Sequence, residues 1–335
     1  MDNSKFKRTA FFVILVFILV LQLTLMMIDY KPRLQSSAPG VPAIDDFLDS
    51  KYQLRPNTQA FWYSASISTN NIGLRDENYN LTKSPETIRI ILIGDSTTFG
   101  QGIPVEKTYG EKLEKKLNLQ SQNQIYEVWN AGVITYNTAQ AVTLLDEELL
   151  KYEPDFVIYG FFQNDLNPPM YFYSRQLYYD DFPMLAFFDT LPFKNWKLFQ
   201  FYNEKLYNLW GKIRYYRIMN KYGKEFSDSY KINEKAFDKL VSLSSKENFT
   251  LMITEFPYLM EQKIYNLESH SFLHEKIREN ELLFVDIIPD LRNVSQDLAH
   301  FRVRNEDNIH MSEEGQTIIS EALFKNLINL TSLNR

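Results

Sequence analysis

The chain of 335 residues contains no cysteine. That excludes disulfide frameworks, zinc–thiolate sites, iron–sulfur clusters, cysteine nucleophiles and lipidation at a cysteine. A chain of this size can be held by its hydrophobic core alone. Glycine is scarce: 11 residues, about half of a usual share of roughly 7%. Positive charge is not in excess. The net charge of −6 and pI of about 5.4 argue against a global nucleic-acid binder. His-Glu-x-x-His and Gly-x-Ser-x-Gly are both absent, so neither a metalloprotease helix nor that nucleophile elbow is supported. Gly100 and Gly102 form a Gly-x-Gly pair, but the lysine of a phosphate-binding loop is missing. What is present is a folding composition, 44% hydrophobic and 23% charged, without internal repeats.

Ala10 to Ile28 is apolar except for Gln22 and Thr24. Nineteen residues at 1.5 Å rise give about 28 Å, near a bilayer core. Lys5, Lys7 and Arg8 precede this run. The pattern predicts a cytoplasmic segment over 1–9, an uncleaved transmembrane anchor over 10–28, and the remaining domain outside the cytoplasm as a single-pass protein. A cleaved signal peptide is the competing reading. The run exceeds an h-region of about 7–15 residues, and the nearest small-x-small site, Ser36 to Ala38, is followed by Pro39. Asn-x-Ser/Thr sequons at Asn80, Asn248, Asn293 and Asn329 matter only in a eukaryotic secretory pathway. Residues 29–70 read as linker and lead-in, with LQSSAPGVPA at 34–43 lacking periodicity.

From there the pattern becomes regular. Strands are expected at Ile88–Ile93, Gln124–Trp129, Asp155–Phe162, Phe249–Phe256 and Glu281–Ile287, with helices near 106–118, 137–151, 232–247, 263–280 and 312–331. Strands apolar on both faces, alternating with helices, predict a doubly wound, flavodoxin-like parallel sheet of five strands over 71–335. One connection is long. Residues 166–230 form an aromatic-rich insertion after the third strand, with helices of its own. Lys194 to Lys224 carries eight basic residues and one acid, Glu204. Trp196, Phe199, Tyr202, Leu206, Leu209, Ile213 and Tyr216 recur along one helical face, and Gly211 lies inside. Two roles fit that segment: a helix packed on the sheet, or an interfacial lid on anionic lipid.

In open α/β sheets, ligands bind beyond the carboxyl ends of the strands. Those ends carry GDSTTFG at 94–100, NAG at 130–132 and FFQND at 161–165, and DNIHMSEEG at 307–315 precedes the last helix. These four blocks, in this order, resemble the SGNH (GDSL) hydrolase family over residues 70–331. Two positions depart from that family's usual pattern: Phe162 where glycine is common, and Thr97 where leucine is. The resemblance implies an esterase acting on O-acyl esters or lysophospholipid-like substrates, with no cofactor.

The chemistry can also be read from the residues. A serine hydroxyl is a weak nucleophile and needs an adjacent base, whose tautomer a carboxylate fixes. Asp307 and His310, three apart ahead of a helix, can supply both to Ser96. The Ser96 N–H, the Gly132 N–H and the Asn164 amide are the expected oxyanion donors, with Gly132 leaving room for an approaching carbonyl. Ser96 could instead cap the following helix. Asp95, Asn130 and Asp165 read as residues that order turns. His270 and His274, four apart beside Glu268 and Glu275, could make half a metal site but read better as a polar helix face, and His300 has no evident partner. No metal is expected. The sequence therefore predicts a membrane-anchored serine esterase working through an acyl-serine, with a small-molecule, lipid or glycan ester as its partner and no nucleic acid. The alternatives are an O-acyltransferase modifying an envelope polysaccharide and a non-catalytic surface module.

Overall fold

In a computed structural model of the chain, the structure describes residues 3–27, 53–63, 65–167, 196–203, 205–206, 209, 223–261, 265 and 267–333. The chain divides into two compact units, Met1–Asp45 with Phe172–Lys221, and Asp46–Tyr171 with Tyr222–Arg335.

The first unit holds helix α1, Asn3–Met27, and part of the insertion. Side chains on α1 are described only from Phe11 onward, Leu15 excepted. On that shorter run Gln22 faces protein, its Oε1 accepting the Leu198 N–H at 2.8 Å, and Leu25 is buried. Among the described residues no helix is long and apolar enough to cross a membrane, so the anchor expected over 10–28 is not supported. Trp196, Tyr202, Leu206 and Leu209 of the insertion are exposed. Most of the expected insertion, with Ile213 and Tyr216 of its apolar face, lies outside the described residues.

The second unit is the α/β domain. A short antiparallel hairpin, β1 (Gln59–Trp62) and β2 (Ala65–Ser68), leads in. The main strands are β3 (Thr87–Gly94), β4 (Ile125–Gly132), β5 (Phe156–Phe161), β6 (Thr250–Glu255) and β7 (Leu283–Val285). They pair in parallel in the order β4-β3-β5-β6-β7, the flavodoxin-like arrangement expected. Burial on both faces matches their continuous apolar character. Arg89 is the exception inside β3: its guanidinium donates to Glu127 and to the carbonyls of Tyr152 and Asn80, which satisfies the buried charge.

The helices are α2 (Ser96–Phe99), α3 (Tyr109–Gln120), α4 (Thr138–Leu144), α5 (Gly223–Lys246), α6 (Leu267–Glu279), α7 (Ile288–Val294) and α8 (Glu313–Leu333). The helix expected over 137–151 stays α-helical only to Leu144 and continues as a wider π-type turn over Leu145–Leu149. One face of the sheet packs against α3 and α8 through a core that includes Ile90, Leu113, Val128, Ile319 and Leu323.

Three glycines stand in register near the carboxyl ends of adjacent strands: Gly94, ending β3, lies opposite Gly132, ending β4, on one side and opposite Gly160, one residue before the end of β5, on the other. The short helix α2 lies directly on them. A Cβ at Gly132 would overlap the Phe99 amide nitrogen and stand 2.7 Å from the Thr98 carbonyl carbon. A Cβ at Gly94 or Gly160 would collide with Thr98 Oγ1. Gly132 thus answers to the approach of a neighbouring backbone, whereas the sequence suggested room for a substrate carbonyl. The far end of α2 is held by Arg75, fully buried, whose guanidinium donates to the carbonyls of Phe99 (2.6 Å), Gly100 (2.8 Å) and Ile103 and lies over the Phe99 ring. Burial lowers the Arg75 pKa to about 10, partly offset by the charges of Glu106 and Asp76.

Because backbone cannot yield as a flexible side chain does, Gly132→Ala should displace α2. The expected cost is about 1–3 kcal/mol in urea unfolding, with a fall in any activity that depends on Ser96. A variant as stable and active as the parent would show that α2 does not rest on this position.

Candidate active site

Ser96 is the first residue of α2 and does not cap it. Asp95 does: its Oδ1 accepts the Thr97 N–H at 2.8 Å and the Thr97 hydroxyl at 2.7 Å. The serine hydroxyl is thereby left for another partner. His310 Nε2 and Ser96 Oγ are 2.8 Å apart, and His310 Nδ1 and Asp307 Oδ2 are also 2.8 Å apart. Serine, imidazole and carboxylate form one hydrogen-bonded line across 214 residues of chain.

The loop carrying Asp307 and His310 is tied from both sides. Asp307 Oδ1 accepts the backbone N–H groups of Ile309 (2.9 Å) and His310 (3.0 Å), while the His310 carbonyl accepts the Val303 N–H at 2.9 Å. Behind it, Gln316 on the first turn of α8 accepts the Tyr109 N–H at the start of α3. Ser96 is 8% and His310 9% exposed. They line one narrow cleft with Thr97, Gln101, Ile309 and Gln316.

Tyr63, at the tip of the β1–β2 hairpin, was not anticipated. Its hydroxyl donates to Asp307 Oδ2 at 2.6 Å, and its ring meets the His310 ring edge-on at 5.7 Å. The backbone there is left-handed, φ 53°, an uncommon conformation for a residue with a large side chain. The Arg304 guanidinium lies over the same ring, 3.8 Å from its centre. Burial, then the hydrogen bond to Asp307, pushes the Tyr63 phenol up to about 12, so it stays a donor. Burial also works against the Asp307 charge, but the hydrogen bond and charge of His310 and the Tyr63 hydroxyl outweigh it. The Asp307 carboxyl sits well below the usual carboxylate range.

The remaining residues fall around this line. Asn164 follows β5 in a short 3₁₀ turn, Gln163–Leu166, and its side chain favours the charged form of Asp95. Asp95 itself is fully buried. Burial raises its pKa against the opposing Thr97 hydrogen bonds, and its Oδ2 is a long 3.5 Å from Ser96 Oγ. Asp165 orders the turn as expected, accepting the Tyr159 hydroxyl and the Phe162 N–H. Phe162, where the family pattern often has glycine, buries its side chain in the core. The Gly132 N–H donates to Asn130 Oδ1 at 3.1 Å, so in this state it is already engaged. His300 pairs with Glu314. His270 and His274 do not form a free polar face, because both meet Glu255 on β6.

A carboxyl whose pKa is lower in the folded than in the unfolded chain stabilises the fold above the unfolded value, near 4, and loses that contribution as pH falls through the folded one. Wild-type stability should therefore drop between about pH 4 and pH 2 more steeply than that of Asp307→Asn, with Tyr63→Phe in between. Urea midpoints across that range test this, and parallel slopes for all three would remove Asp307 as the source.

No family model matches the chain, and no curated protein matches it. Solved structures do. An acetyl xylan esterase, AlAXEase, is 14% identical, covering 71% of this chain and 99% of its own, with a TM-score of 0.45. Axe2, an acetylxylan esterase from Geobacillus stearothermophilus, is 15% identical over 73% of this chain and 95% of its own, with a TM-score of 0.45. A protein from Desulfitobacterium hafniense DCB-2, described as lipolytic and of the G-D-S-L family, is 16% identical over 71% of this chain and 98% of its own, with a TM-score of 0.43.

Proposed function

We propose that the chain is a serine ester hydrolase that cleaves O-acyl esters through an acyl-Ser96 intermediate. The observation that carries this reading is the pair of 2.8 Å hydrogen bonds joining Ser96, His310 and Asp307 in series. Ser96 Oγ attacks the ester carbonyl as His310 Nε2 takes its proton. Asp307, held ionised, stabilises the imidazolium that forms. His310 returns the proton to the leaving alcohol, and water repeats the sequence on the acyl-serine.

The tetrahedral oxyanion needs donors in place beforehand. As the first residue of a helix, Ser96 has an N–H without an acceptor inside that helix. The Asn164 amide carries two hydrogens, so one can favour Asp95 while the other faces the oxyanion. Gly132 joins them only if Asn130 Oδ1 releases its N–H.

Ser96→Ala should abolish hydrolysis of p-nitrophenyl acetate and labelling by a fluorophosphonate, with stability within about 1 kcal/mol of the parent. Turnover near the parent rate would overturn the nucleophile, and a wild-type chain that neither hydrolyses nor labels would make this a non-catalytic module. Activity rising with acyl length would favour the lysophospholipid-like substrate. Acyl transfer to an added polysaccharide exceeding hydrolysis would favour the acyltransferase.

Location is a separate proposal, carried by Lys5, Lys7 and Arg8 ahead of the apolar stretch: the domain works outside the cytoplasm. Protease added to intact spheroplasts should digest it, whereas protection until lysis would reverse the orientation.

A further inference from the structure

A second histidine–carboxylate cluster lies away from the Ser96 line. Glu255 ends β6, and its side chain is only 1% exposed. His270 and His274 stand one turn apart on α6, so their rings share a face. His270 Nδ1 lies 2.7 Å and His274 Nε2 3.2 Å from the same oxygen, Glu255 Oε2. The two nitrogens and the carboxylate oxygen all fall within 4.8 Å of one another. The other oxygen, Oε1, is buried without any hydrogen-bond partner. A buried carboxylate with one oxygen shared by two imidazoles and the other unsatisfied is an incomplete arrangement as a hydrogen-bond network.

The rings are also held in place. Tyr265 stacks on His270 at 4.4 Å and 14° between planes, and Phe284 of β7 meets His274 edge-on at 4.9 Å. Asp286, just past β7, is close enough for its charge to act on both Glu255 and His270. Two nitrogen donors and a carboxylate therefore face one point.

We propose that Glu255, His270 and His274 form a binding site for a zinc-type divalent cation. Two imidazoles and a carboxylate suit zinc and its late first-row neighbours, and suit magnesium or calcium poorly. Tetrahedral zinc with bonds of about 2.0–2.2 Å sets its ligand atoms roughly 3.3 Å apart, which these side chains reach by small rotations. Glu255 Oε1 then becomes a second ligand atom or an acceptor for a water in the fourth position. Both histidines are partly exposed, which gives the ion an entry path. The bound ion would clamp α6 to the end of β6, independently of whether Ser96 is a nucleophile.

The test uses the full chain, freed of metal with a chelator and titrated with Zn²⁺ by calorimetry, and with Co²⁺ by visible absorption. One equivalent should bind, the cobalt form should show tetrahedral bands, and Zn²⁺ should raise the melting temperature. In His270→Gln/His274→Gln all three signals should be lost. Glutamine can still donate to Glu255, so the hydrogen-bonded packing survives while the imidazole ligands do not. The single variant His274→Gln, at the more exposed position, provides the same readout should the double variant fail to fold. The proposal is overturned if the wild-type chain binds no stoichiometric ion. It is equally overturned if binding persists in the glutamine variants or disappears in His310→Ala, which would place the ion at the serine site.

Discussion

Backbone pressed on backbone at the glycine row is the constraint from which the serine site follows. Gly94, Gly132 and Gly160 stand at one level near the ends of three neighbouring strands, and α2 settles on them closely enough that no side chain fits between. Arg75 closes the other end by gathering three carbonyls, including those of Phe99 and Gly100. A four-residue helix has almost no stability of its own. Its position is imposed from below by sterics and from behind by a buried cation. Only with α2 fixed in this way does Ser96 Oγ meet an imidazole delivered from residue 310.

That imidazole is aimed by a carboxylate whose hydrogen bonds are complete. Asp307 Oδ1 takes two backbone N–H groups from its own loop, and Oδ2 takes His310 and Tyr63. Each bond favours the charged form, and together they overcome burial. Tyr63 reaches this point from a hairpin that pairs only with itself, held there in a left-handed turn and covered by Arg304. Strain of this kind persists where the surroundings over-determine it, which fits a residue that serves the site more than its own hairpin.

The strands and the meeting of Ser96, His310 and Asp307 were legible in the sequence because their signals are local. Both-face apolar runs end at Gly-Asp-Ser, at a glycine and at an asparagine, and Asp307 and His310 need only a turn between them. Tyr63 and Arg75 were not legible. Tyr63 finds Asp307 across 244 residues, from the stretch that read as lead-in, and Arg75 finds Phe99 across 24. Helical spacing did pair His270 with His274, but Glu255 belongs to another element and reads in sequence as the end of a strand. The backbone of α2 against Gly132 was not legible, because a glycine at a strand end has the same appearance whether a ligand or a neighbouring backbone takes the space.

The two histidine–carboxylate clusters show how one chemistry diverges with its surroundings. At Asp307 both oxygens are saturated and one ring is held, so the carboxylate can orient an imidazole but has nothing left for a further cation. At Glu255 two rings share a single oxygen, and the other oxygen has no hydrogen-bond partner among the described residues. A cation accepts lone pairs from both rings and from the carboxylate at once, which hydrogen bonding at this geometry cannot do. The first arrangement leaves one imidazole aimed at Ser96, and the second leaves a carboxylate oxygen without a partner among the described residues, the opening that the proposed ion would fill.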